Sequence, residues 1–211
     1  MARYTGPACK LCRRESTKLF LKGTRCLTEK CAIERRAYAP GQHGQAMSRR
    51  RKASEYQKQL REKQKVKRIY GLTENQFHRA FQKVRPMPGV TGENLLALLE
   101  TRLDNLVHRM GFAASRRAAR QLVRHRHVQV NGKTVDIPSY AVRPNDEVCV
   151  SPKSRDLTVV RASLEALSRA APMTWISVDA SKATGKLLEI PTRDQIPIAA
   201  QEQMIVELYS K

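Results

Sequence analysis

Four cysteines near the start of the chain, Cys9, Cys12, Cys26 and Cys31, set the tightest limit on how these 211 residues can fold. They form C-x2-C and C-x4-C pairs with thirteen residues between them. Each close pair brings two sulfurs to one side of an ion, as tetrahedral thiolate coordination of zinc requires. The segment has few large apolar side chains (Leu11, Leu19, Phe20, Leu21, Leu27, Ile33), so a metal would stand in for a core. Four sulfur ligands leave no open position for a water nucleophile, so the expected ion, a single Zn2+, is structural and not catalytic. An iron–sulfur cluster uses the same ligand type and is the lesser metal alternative, while two disulfides or four unrelated thiols are the readings without metal. Cys149 stands far from the quartet and is expected to be a buried thiol.

Charge limits the partners. Lys and Arg total 40 against 19 Asp and Glu, a net +21, and such a field attracts polyanions. Residues 1–90 carry net +17, whereas residues 137–211 balance to zero, so the anion-binding surface is expected in the N-terminal part and the helical region that follows. No run approaches the roughly 18 apolar residues of a spanning helix, and MARYTGPACK has no apolar signal core, so a membrane is disfavoured and a cytosolic protein expected. Around the cysteines stand Lys10, Arg13, Arg14, Lys18, Lys22, Arg25 and Lys30, placed for a zinc-held loop to present to phosphates.

Residues 35–52, RRAYAPGQHGQAMSRRRK, are broken by Pro40, Gly41 and Gly44 and flanked by arginine. The loop suits either close approach to a phosphate backbone or an interdomain linker. Ser54 to Tyr70 reads as a helix capped by Ser54, with a narrow apolar stripe (Tyr56, Leu60, Ile69, Tyr70). Lys58, Arg61, Lys63, Lys65, Lys67 and Arg68 cover much of the rest, which calls for a polyanion alongside. Thr73 and Gln76 make a capping box for a helix whose Phe77 and Phe81 are assigned to a core. RPMPGVTG, residues 85–92, marks a domain boundary. Beyond it, Leu95 to Met110 keep helical spacing up to Gly111.

SRRAARQLVRHRHVQVNG, residues 115–132, holds the most directional signal. Arg116, Arg117, Arg120 and Arg124 share one arc of a helix, and Ala118, Ala119, Leu122 and Val123 the opposite one. No Asp or Glu lies within this stretch, so the arginines are expected to look outward for counter-ions. Val128 and Val130 alternate before Asn131-Gly132, a hairpin signal with a second strand after it. Residues 142–150 read as a turn and strand, further short strands are expected at 175–178 and 186–190, and a helix at 164–170. The tail, with Met204, Ile205, Val206 and Leu208 to bury, is expected to pack back on the first helical domain.

The cysteine pairs, YAPGQHG (38–44), SEYQKQLREKQKVKRIYGLTENQF (54–77), ETRLDN (100–105), ARQLVRHRHVQVNG (119–132), IPSYAVRPND (137–146) and the closing IVELYSK follow in order. Together they resemble the small ribosomal subunit protein four family in its zinc-binding bacterial form, over essentially the whole chain. The resemblance implies an α+β fold, in which an N-terminal zinc knuckle and helical domain precede an RNA-binding module of two helices and an antiparallel β-sheet. The expected boundaries are 1–45 for the zinc segment and basic loop, 46–92 for the helical domain with 195–211 folded onto it, and 93–194 for the α/β domain, with its core module at about 99–160. It implies direct, early binding of small-subunit ribosomal RNA that nucleates assembly of the subunit body, and an influence on decoding accuracy. The implied neighbours are small-subunit protein five, protein twelve nearby, and messenger RNA at the entry channel.

Resemblance and charge together mark the candidate RNA-contacting residues. In the loop they are Arg35, Arg36, Tyr38, Gly41, Gln42, His43, Gly44, Arg49, Arg50, Arg51 and Lys52, and on the first long helix Lys58, Arg61 and Lys65. In the module they are Arg102, Arg116, Arg117, Arg120, Arg124, His127, Asn131 and Lys133. Two other classes compete. An RNA-modifying enzyme can carry the same module, but only some 50 residues follow it, with no phosphate-binding glycine loop and no catalytic grouping. A zinc-containing DNA-binding regulator would put the Ser115 helix into a major groove, yet basic segments spread over half the chain suit a large folded RNA better.

Overall fold

The computed structural model describes residues 3–47, 54–167 and 173–210. The chain divides into two compact units, Met1–Gly92 with Ile198–Lys211, and Glu93–Pro197.

The first unit is helical among the described residues: α1 (Ala8–Glu15), a 3-10 turn (Gly23–Leu27), α2 (Ala32–Arg35), α3 (Gly44–Met47), α4 (Glu55–Ile69), α5 (Glu74–Val84) and, from the far end of the sequence, α10 (Glu202–Tyr209). Ser54 Oγ accepts the Gln57 N–H at 3.3 Å and starts α4. Thr73 and Gln76 close a reciprocal capping box, at 3.4 and 3.2 Å, and start α5. The apolar side of α4 differs from the expected stripe. Tyr56 is exposed, and the buried face is Gln59, Lys63, Val66 and Ile69, because α10 covers that side and supplies partners for its polar members.

Gln59 Nε2 donates to Glu207 at 2.8 Å, and the backbone N–H of Gln201 to Glu62 at 3.1 Å. Tyr209 stacks on Phe81 with ring centroids 4.6 Å apart, lies 5.4 Å from Lys63 Nζ, and donates its hydroxyl to Glu74 at 3.1 Å. Burial opposes the Glu74 charge, but the ammonium groups of Lys63 and Lys67, at 2.5 and 2.7 Å, outweigh it and hold the carboxyl at about 2.

The second unit has α6 (Thr91–Glu100), α7 (Leu103–Arg109), α8 (Arg116–Arg124), β1 (Val128–Val130), β2 (Lys133–Thr134), β3 (Glu147–Val150), α9 (Thr158–Leu167), β4 (Ile176–Asp179) and β5 (Thr184–Leu187). The strands form one antiparallel sheet in the order β2-β1-β3-β5-β4. Asn131 and Gly132 take φ of 49° and 75°, the left-handed pair that a tight two-residue hairpin needs. Val128 pairs with Val150 and Val130 with Val148, and all four bury the same face against Leu106, Val107, Met110, Phe112, Leu122 and Val123. Helices and an antiparallel sheet make the fold α+β.

Three expectations need correction here. The continuous helix expected from Leu95 to Met110 is two helices, broken at Thr101–Arg102. The backbone there pairs with a later segment: Leu103 N–H reaches Tyr140 O at 2.8 Å and Val142 N–H reaches Thr101 O at 3.0 Å. The helix expected at 164–170 runs Thr158–Leu167, since its inner face begins earlier, with Val160 and Ser163 buried, and residues 168–170 lie outside the described set. The last strand is Thr184–Leu187 and not 186–190: beyond the Ile176–Leu187 pair a single backbone bond, Leu188 N–H to Trp175 O at 3.0 Å, remains, and Leu188 and Ile190 are exposed.

Candidate nucleic-acid interface

Ser115 Oγ accepts the Ala118 N–H at 3.3 Å and launches α8, whose apolar arc, Ala119, Leu122 and Val123, is buried as its spacing predicts. Its arginines separate into two groups. Arg120 is buried and donates to Asp104 at 3.0 Å, and Asp104 also takes a bidentate bond from Arg102 at 3.1 and 2.8 Å. Arg116 donates to Asn105 at 2.6 Å and lies 3.9 Å from Glu100. Glu100, fully buried, receives both arms of Arg109 at 2.9 and 2.6 Å and the Asn105 amide at 2.5 Å. Arg116, Arg120 and Arg102 therefore do not look outward for counter-ions; they have carboxylate or amide partners within their own unit. The acids lie upstream of residues 115–132, in ETRLDN, where Glu100 and Asp104 flank the α6–α7 break. Arg117, Gln121 and Arg124 form the exposed face of α8, and Lys133 is exposed on the hairpin.

Two other residues expected in the module's site have partners within its fold. Asn131 donates to Asp146 at 2.8 Å and accepts the Glu147 N–H at 2.9 Å, so its amide fastens the hairpin turn to β3. His127 Nδ1 lies 2.8 Å from Ser154 Oγ. Cys149 is partly and not fully buried, with its thiol pushed up by burial and by Glu147.

His108, which the sequence reading passed over, donates from Nδ1–H, in its neutral form, to Ala113 O at 3.0 Å. Burial, reinforced by the Arg116 guanidinium, holds its pKa at about 4 against a usual 6.5. As pH falls through that interval the unfolded chain binds the proton first, so this contribution to stability is complete above pH 6.5 and is lost on the way down to about 4. Urea unfolding followed by Trp175 fluorescence is expected to show a loss on the order of 3 kcal/mol across that window. His108→Gln should flatten this part of the profile.

The first unit repeats the pattern of internal pairing. Glu15, its carboxylate buried, meets Arg61 at 3.4 Å and also Arg68. Burial pushes its carboxyl upward, against the pull of both arginines. Lys65 pairs with Glu62 at 2.5 Å and Lys58 with Glu55 at 3.1 Å. The expected need of α4 for an external polyanion is thus reduced: each of its cations, including Lys58, Arg61 and Lys65, has a glutamate neighbour in the same unit, but Glu15 and Glu74 each serve two of them, so an excess of positive charge remains.

Arg35, Arg36, Gly41, Gln42 and His43 are exposed, while Gly44 is buried. A Cβ on Gly44 would stand 1.9 Å from Ala39 O, so Gly44→Ala must push the loop open. The expected cost is about 1–3 kcal/mol of first-unit stability in urea unfolding followed by circular dichroism, and an unchanged midpoint would refute the close packing of this turn. Arg49, Arg50, Arg51 and Lys52 lie outside the described residues.

The structure brings Cys9, Cys12, Cys26 and Cys31 onto the wall of one pocket with Ala8, Leu21, Ala32 and Ile33. All four are free thiols, which sets aside the disulfide reading. Lys22 N–H points at Cys26 Sγ from 3.4 Å, and the Cys12 thiol is pushed up by burial and by the other three cysteines. Their side chains are not drawn together as ligands: among the described residues no three metal-ligating groups converge on one point.

A basic, two-unit chain that displays arginines on a helix beside a hairpin has the build of a nucleic-acid-binding scaffold. Residues 3–100 match the profile of the ribosomal protein S4/S9 N-terminal domain, and residues 101–148 that of the S4 domain. Over all 211 residues, and the full length of each relative, the chain is 57% identical to small ribosomal subunit protein uS4 of Thermodesulfovibrio yellowstonii, 55% to that of Pelotomaculum thermopropionicum and 53% to that of Thermus thermophilus. The chain belongs to the small ribosomal subunit protein uS4 family, a family of ribosomal structural proteins and not of enzymes.

Proposed function

We propose that this protein is a structural constituent of the small subunit of the cytoplasmic ribosome, a primary binder of small-subunit ribosomal RNA that nucleates assembly of the subunit body and contributes to translational accuracy. The observation that carries this reading is identity of 53–57% to uS4 proteins over the entire chain. Small-subunit protein five, protein twelve nearby and messenger RNA at the entry channel complete the proposed surroundings. Among the described residues no helix is long and apolar enough to cross a membrane.

Recognition follows from the physics of folded RNA. A-form helices hide their base edges, so a junction is read by its shape, phosphates and ribose hydroxyls. Aromatic residues make up 5% of the chain, which favours clamping of the backbone over stacking on unpaired bases. Arg35, Arg36, Arg117, Arg124 and Lys133 are exposed and form the leading contact set. Arg116 and Arg120, bound to Asn105 and Asp104, keep α8 in place on α7.

A structural Zn2+ is part of the proposal. Four free thiols on one pocket wall are the donor type that zinc takes, and binding would have to draw them together from the positions they hold here; a bound ion would supply the cohesion that a segment with so small a core lacks. Crosslinking the protein to RNA in its own cells and sequencing the bound fragments tests the function. Enrichment of one small-subunit ribosomal RNA region supports it, and a spread over transfer RNA or DNA at the ribosomal RNA level sinks it. Metal analysis of the purified protein tests the ion, for which one zinc per chain is expected.

A further inference from the structure

Arg13 belongs to the ring of cations around the cysteines, and charge alone would assign it to phosphate. Its side chain is spent elsewhere. Nε donates to Tyr38 O at 2.9 Å, Nη2 reaches Ala39 O at 3.4 Å, and the guanidinium carbon lies 4.8 Å from the centre of the Tyr38 ring. The Ala39 carbonyl so held is the atom that leaves no room for a Cβ on Gly44, and Gly44 N–H closes the turn onto Gly41 O at 3.1 Å. One guanidinium therefore fixes the two carbonyls that begin the 38–44 loop, while Gln42 and His43 at its tip stay exposed. On the same helix, the neighbouring residue Cys12 faces the cysteine pocket and Glu15 meets Arg61 and Arg68 of α4. Helix α1 is thus held on one side and holds the loop on the other.

We propose that Arg13 is a positioning residue, which shapes the 38–44 loop for RNA binding and does not itself contact phosphate. The proposal rests on the RNA-binding reading for its purpose, but its structural content stands apart. Two planar donors and a stacked face define the role, and lysine supplies charge without either. Charge conservation is therefore the wrong rescue, and this separates positioning from phosphate contact.

The test uses the full-length protein with Arg13→Lys and Arg13→Gln, read in two ways. In hydrogen exchange without RNA, both variants are expected to speed exchange of the Gly44 amide by about tenfold or more, with α5 amides unchanged as the control for folding. Wild-type exchange at Gly44 in Arg13→Gln overturns the proposal. In binding to a small-subunit ribosomal RNA fragment over a salt series, both variants are expected to weaken affinity by about tenfold with the salt slope of wild type. Near-normal affinity of Arg13→Lys together with a slope lowered by about 0.7–0.9 in Arg13→Gln assigns Arg13 to phosphate and overturns positioning. If wild type fails to bind that RNA, the functional reading fails, and the exchange arm still decides what Arg13 does to the loop.

Discussion

Glu100→Ala is expected to destabilise the second unit by about 3–5 kcal/mol, the usual consequence of removing one partner from a buried ion pair. The Glu100 side chain has 0% exposure, and the Arg109 and Arg116 side chains beside it 10% and 13%. Alanine leaves both guanidinium groups and the Asn105 amide without the carboxylate that answers them, in a place where water cannot fully replace it. Glu100→Gln keeps the shape and one acceptor, and should fall between the two. Trp175 makes the measurement clean, because it is the only tryptophan of the chain and is buried in the second unit's core. A urea midpoint for Glu100→Ala within about 0.5 kcal/mol of wild type would mean that the arginines regain solvent and that the network adds nothing to stability.

The second large effect is on RNA affinity. A surface that neutralises six to ten phosphates loses about 10³–10⁵-fold in affinity between 50 and 200 mM salt. Exposure predicts which cations contribute. Arg117→Gln and Arg124→Gln, on the exposed face of α8, should each lower the slope of log affinity against log salt by about 0.7–0.9 while leaving the Trp175 unfolding midpoint in place. Arg120→Gln, whose guanidinium is bound to Asp104, should do the reverse, moving the midpoint with little change of slope. Equal slope changes for all three positions would show that Arg120 leaves Asp104 when RNA arrives.

Local signals in the sequence read well wherever the physics is local. The Ser54 cap, the Thr73–Gln76 box, the apolar arc of α8 and the Asn131-Gly132 hairpin each depend on residues within one or two turns of one another. What sequence could not reveal was pairing at a distance. Glu15 and Arg61 are 46 residues apart and Asp104 and Arg120 are 16, so a scan for partners at helical spacing left these arginines without counter-ions. The same distance hid the internal partners of Asn131, whose amide ties the turn to Asp146 and Glu147, and of Arg13, which binds two carbonyls. Charge counts show that a polyanion is wanted, and only the fold shows which cations stand exposed to it. The break at Thr101 escaped notice because its cause, the pairing with residues 140–142, lies some 40 residues downstream.

The placement of α10 on α4 bears on the order in which the chain can mature. On emergence from the tunnel, α4 and α5 are complete long before Tyr209 exists, so the seam of Gln59, Lys63, Phe77 and Phe81 waits uncovered while the whole of Glu93–Pro197 is made. The later-synthesised unit carries its own core and can close first, as an insertion inside an unfinished host. The first unit must stay open until the last helix returns, and through that interval it depends on helix caps and on the short-range pairs of Lys58, Lys63, Lys65 and Lys67.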